Sequence, residues 1–83
     1  MTSDKKITYV VASDVNPRDG IGLETYINGD LVLEIFRDDS ERRTYARLFH
    51  HSIDLGVLES SVAEFKDRID PNYIEYQEEQ PQA

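Results

Sequence analysis

Two adjacent histidines, His50 and His51, and an acidic turn opening at Asp14 are the places where this chain invites metal or acid–base chemistry. On an extended segment neighbouring side chains point to opposite faces, so the two imidazoles cannot chelate one ion together. A zinc site would then need carboxylates for nearly all of its ligands. Asp14 and Asn16 occupy the first and third ligand slots of an EF-hand loop. The fifth slot is Arg18, the obligatory sixth-position glycine is Asp19, and the twelfth residue is Thr25 where a bidentate glutamate is needed. The histidines therefore read as strand-end residues and the acidic segment as a plain turn. There is no cysteine to act as nucleophile or thiolate ligand, and no GxSxG elbow, HExxH helix or phosphate-binding glycine loop. Seventeen Asp and Glu in 83 residues guarantee chance carboxylate pairs, so a pair alone does not mark a general acid and base. The expectation is a protein that is not an enzyme and holds no metal or cofactor.

Charge narrows the partners. The 17 acids face 9 Lys and Arg, giving a net charge of -8 and a pI near 4.5. Binding nucleic acid through counterion release needs a basic surface along the phosphates, and here Arg42, Arg43 and Arg47 form the one local basic run. A nucleic-acid partner is not expected. The apolar run Ile7–Ala12 after Lys5 and Lys6 is far too short to span a bilayer or form a signal core, so the expectation is a cytoplasmic protein without a membrane partner. At this length roughly 63% of the unfolded surface can be buried, enough for one modest core.

The elements that would carry any surface chemistry follow from periodicity. Residues 7–12 are β-branched and aromatic and read as a first strand, followed by a turn cluster over 13–20. Ile21, Leu23, Thr25 and Ile27 share one face of an extended segment, and Leu31, Leu33 and Ile35 share one face after Asn28-Gly29-Asp30. For both rows to lie on the same side of a hairpin, paired residue numbers must sum to an even number. That parity points to a three-residue loop with Gly29 near the left-handed position. The reverse face then shows Glu24, Tyr26, Val32, Glu34 and Phe36. Residues 43–50 read as a fourth strand with Ala46 and Leu48 on one side and Tyr45, Arg47 and Phe49 on the other, its facing left open. The period then changes: Leu55, Leu58, Val62, Phe65 and Ile69 recur at helical spacing, with Ser52 or Asp54 as the cap and Asp70-Pro71 as the stop.

The fold expected is thus α+β: a four-stranded antiparallel sheet with one C-terminal amphipathic helix packed on one face, and Leu23, Leu33, Ile35, Leu58, Val62 and Phe65 in the core. Residues 1–76 form the single domain, with the stretch after the helix docking on a sheet edge, and 77–83 a disordered acidic tail. One helix covers one sheet face, which leaves the other for solvent or a partner. Six acids lie between Leu23 and Glu41 against Arg37 alone, and several fall beside aromatics on that second face. Glu24, Tyr26, Glu34, Phe36, Asp38 and Asp39 are the candidate partner-binding residues: carboxylates to steer a basic protein, aromatics to hold it.

The run from Arg18 to Asp39, RDGIGLETYINGDLVLEIFRDD, followed by a strand and one amphipathic helix, resembles small bacterial immunity proteins of the contact-dependent growth inhibition type over about residues 18–69. The resemblance implies a cytoplasmic antidote that binds a cognate toxin domain, commonly a nuclease, and blocks or distorts its active site. The alternative is a non-enzymatic module that uses the same open face on another protein or on a second copy of itself as a homodimer.

Overall fold

The computed structural model describes residues 5–14 and 19–74. Four strands, β1 (Ile7–Asp14), β2 (Gly20–Ile27), β3 (Asp30–Asp38) and β4 (Arg43–Leu48), form an antiparallel meander in the order β1-β2-β3-β4, and α1 (Leu55–Arg68) follows. The architecture is α+β, with the helix packed against β1, β2 and β3. β1 runs two residues further than the alternation suggested, because Ser13 and Asp14 still pair with Ile21 and Gly20. β4 stops two residues earlier, although Phe49 N–H still donates to Val32 O at 3.0 Å. The tail expected over 77–83 lies outside the described residues.

The central hairpin corrects one inference and explains it. Ile27 pairs with Asp30, so the loop is the two-residue Asn28-Gly29, with φ of 51° and 87°. Both residues take positive φ, the conformation whose twist matches the flanking strands and that Asn-Gly tolerates. Even parity is restored by a β-bulge instead: pairing runs Tyr26 with Leu31 but Thr25 with Leu33, leaving Val32 as the extra residue. The bulge exchanges two side chains between faces. Val32 is buried in the core cluster, whereas Leu31 falls opposite Tyr26 and outside that cluster.

The core holds Leu23, Val32, Leu33, Ile35, Val57, Phe65 and Ile69, with Leu58 and Val62 partly buried against it. The helical stripe is rotated from the one expected. Its centre is Val57, Ser61, Phe65 and the capping Ile69, while Leu55 is 64% exposed. Ser61 explains the rotation, since a small residue lets the helix approach β2 closely. Its hydroxyl bonds Val57 O at 2.8 Å and Thr25 Oγ1 at 2.8 Å, so the two buried polar side chains satisfy each other. Asp54 is the N-cap residue, and its carbonyl accepts from Val57 and Leu58 N–H; its side chain makes no capping bond.

Candidate partner-binding surface

Register assigns every side chain of the sheet to a face. With Leu23, Thr25, Leu33 and Ile35 under the helix, the opposite face carries cross-strand rows: Val10, Glu24, Glu34, Arg47; then Ala12, Gly22, Phe36, Tyr45; then Asp14, Gly20, Asp38, Arg43. Thr8, Tyr26 and Leu31 lie beyond the first row, at the hairpin end. No helix or strand among the described residues packs on this face. β4 therefore turns Ala46 and Leu48 toward the helix side and Tyr45 and Arg47 to the open side.

The structure divides the six candidate residues. Glu24 and Tyr26 are partly exposed and joined, with Tyr26 OH donating to Glu24 Oε1 at 2.8 Å. Glu34 lies between Glu24 and Arg47 and is buried. Phe36 is 0% exposed. Its ring rests on the bare backbone of Gly22, where a Cβ would sit 2.8 Å from Phe36 Cδ1, and it meets the Tyr45 ring at 6.0 Å between centroids. Phe36 is a floor under the surface and not an exposed anchor, because two glycines in the adjoining strand let it lie flat. Asp38 and Asp39 are spent inside the fold. Asp38 Oδ1 accepts from Ser40 N–H at 3.1 Å and Glu41 N–H at 3.0 Å, which fixes the four-residue β3–β4 turn with Arg42 at φ 56°.

Asp39 belongs to a clasp on the helix side. Arg37 Nε donates to Asp39 Oδ1 at 2.9 Å and Nη2 to Oδ2 at 3.1 Å, with both side chains almost fully buried. Arg37 Nη1 also donates to Asp70 O, and Ile74 N–H donates to Asp39 Oδ1 at 3.1 Å. Asp39 N–H reaches Asp19 O at 2.8 Å. The ion pair thus ties the β3–β4 turn to the segment after the helix, and the Asp39 backbone adds Asp19, just before β2. Arg42 stacks over the Tyr73 ring at 5.2 Å and Tyr73 OH lies 3.4 Å from Thr44 Oγ1, so that segment docks on the sheet edge as expected.

The carboxylate of Glu24 gives Tyr26 a distinct titration. Accepting the phenol proton, and repelling a phenolate, it raises the Tyr26 pKa above the ordinary 10.0, with desolvation adding in the same direction. A folded-state pKa above the unfolded one means the folded chain holds this proton more tightly. The stability the pair contributes is fully present below about pH 10 and lost as pH rises through the folded pKa. In a spectrophotometric titration of tyrosinate, Tyr26→Phe should remove a component ionising above pH 10, and Glu24→Gln should move that component down. A titration unchanged by either substitution would contradict the pairing.

Sequence reasoning missed Val10, 40% exposed beside Glu24, and Tyr45, which borders Phe36 under the Arg43 guanidinium at 4.7 Å. The alternation of β1 and β4 placed both on a face, but no local signal says which face the helix takes. A separate groove of about 360 Å³ at the hairpin end is lined by residues including Ile27, Asp30, Val32, His50 and Asp54, and takes in none of the six. Among the described residues no group of three or more His, Asp or Glu is arranged to hold a metal ion, and no helix is long and apolar enough to cross a membrane. Against known proteins, the chain matches no family model, no curated sequence and no solved structure.

Proposed function

We propose that the chain is an immunity protein that neutralises a basic toxin domain, a nuclease being the favoured class, by binding it on the sheet face opposite the helix. The observation that carries the reading is the partly exposed Glu24–Tyr26 pair beside the exposed Val10, on the face that no described helix or strand covers, in a chain of net charge -8. A phenol held in place by its neighbour's carboxylate loses little side-chain freedom on binding, and an exposed carboxylate beside an aromatic suits a cationic surface. Phe36, packed on glycine backbone beneath, supplies rigidity to the platform. Glu24 and Tyr26 carry the contact; Asp38 and Asp39 hold the turn that frames it.

The test is rescue. Co-expressed with a basic toxin domain encoded beside its gene, where the reading expects one, the protein should restore growth. Tyr26→Ala should speed dissociation about 10- to 100-fold, as for a central aromatic contact, whereas Glu24→Lys should mainly slow association and flatten its salt dependence. Full toxicity in the presence of folded protein would end the immunity reading. Protection undiminished in both variants would move the binding surface elsewhere.

A further inference from the structure

The two edges of the sheet are unlike. β4 is six residues long and carries Arg43 and Arg47, charges of the kind that blunt an edge against further pairing. β1 is eight residues long, has no charged side chain from Ile7 to Ser13, contains no proline, and pairs with β2 without a bulge. Its apolar side chains are not sheltered: Ile7, Val10 and Val11 are 37%, 40% and 41% exposed. By the rules that keep sheet proteins apart, this is an edge that nothing among the described residues protects.

Its hydrogen-bonding direction can be read from the ladder. Asn28 N–H donates to Lys6 O at 2.8 Å and Lys6 N–H to Asn28 Oδ1 at 2.9 Å, so the backbone groups of Lys6 point toward β2. Antiparallel pairing alternates, which turns the N–H and C=O of Ile7, Tyr9, Val11 and Ser13 outward to the free edge. We infer that this edge pairs antiparallel with the same edge of a second copy of the chain, doubling the four-stranded sheet, with the two-fold axis at Val10.

Three features select that occupant and register. Outward groups must meet outward groups and like faces must adjoin, so paired residue numbers sum to an even value. A sum of 20 matches Ile7 with Ser13 and Tyr9 with Val11, and their symmetry mates, for about eight backbone hydrogen bonds. The same register sets Lys6 opposite Asp14 of the other copy at both ends, so the strand's charges are complementary to their own reversal. Val10 then meets its own counterpart, burying an exposed apolar side chain at the centre. Both helices lie on one face of the enlarged sheet, and the Glu24–Tyr26 pairs of two copies share the other. The inference does not depend on the toxin-binding reading, and its test involves no toxin.

The test is sedimentation equilibrium of the full chain over about 1–500 µM, with circular dichroism as the check on folding. Wild type should shift from monomer to dimer across that range. Val10→Lys, which sets two like charges on directly opposed residues whose Cβ atoms are about 4.5–5.5 Å apart, should weaken the dimer at least 10-fold while the monomer stays folded. Lys6→Glu and Asp14→Lys should each weaken it, and the double variant should recover it, since only this register exchanges those two positions. A wild type that remains monomeric throughout overturns the inference, as does a dimer indifferent to Val10→Lys. Dimers weakened by Val10→Lys but without recovery in the double variant would overturn the register.

Discussion

Asp39→Ala should cost the fold about 3–5 kcal/mol, the range for removing one partner of a buried ion pair and leaving the other uncompensated. Total stability for a chain of this length is roughly 4–12 kcal/mol, so the variant should melt more than about 12 °C below wild type. The size of the effect follows from what the carboxylate holds. It takes Nε and Nη2 of the buried Arg37 guanidinium and the amide of Ile74, while Arg37 Nη1 reaches the carbonyl of Asp70 just past the helix. Asp39→Lys should be at least as damaging, because it sets an ammonium against the guanidinium. Neither substitution therefore probes partner binding. Urea denaturation supplies the stability, and exchange of the Ile74 amide should quicken beyond what global unfolding explains. A loss under about 0.5 kcal/mol would mean that the clasp contributes little.

Phe65→Ala should fall in the same class, about 3–5 kcal/mol, since it removes an aromatic side chain from the centre of the helix–sheet contact and leaves a cavity that the sheet cannot close. The contrast is Leu55→Ala on the same helix. Leu55 begins the apolar repeat in sequence but is 64% exposed, so its truncation should stay within about 0.5 kcal/mol of wild type. The pair of denaturation curves measures which face of the helix is buried. Equal losses at both positions would return the stripe to the line drawn through Leu55.

What was legible in the sequence is the part governed by period. Alternation placed Leu23, Leu33 and Ile35 on one side, the change to helical spacing put Phe65 and Ile69 against them, and the turn residues separated the elements. What was not legible depends on close approach. Ser61 is polar and lies outside the apolar repeat, yet its small size and bond to Thr25 place it at the centre of the buried helix face. Phe36 and Tyr26 are equivalent in pattern, both aromatic on the same side of a hairpin. One is buried and the other is not, because Gly20 and Gly22 have no side chains to hold Phe36 away from the backbone. Likewise Asp38 and Asp39 counted as surface charge in composition, whereas a capped turn and an arginine 33 residues before Asp70 in the chain enclose them. Charge in a sequence gives the net field, and burial decides which carboxylates a partner meets.

The extra residue at Val32 separates the length of the hairpin from its pairing. A deletion elsewhere within β2 or β3 would slide one strand past the other and turn a row of leucines and isoleucines out to water. Deletion at the bulge would leave Tyr26 opposite Leu31 and Thr25 opposite Leu33, with the same faces and a straighter ladder. Chains one residue shorter at this point can therefore share the strand pairing and its faces, without the core contact that Val32 supplies. Aligning them by a gap placed in the Asn28-Gly29 turn, where gaps are usually put, would misassign the side of the sheet on which Leu31 and Val32 lie.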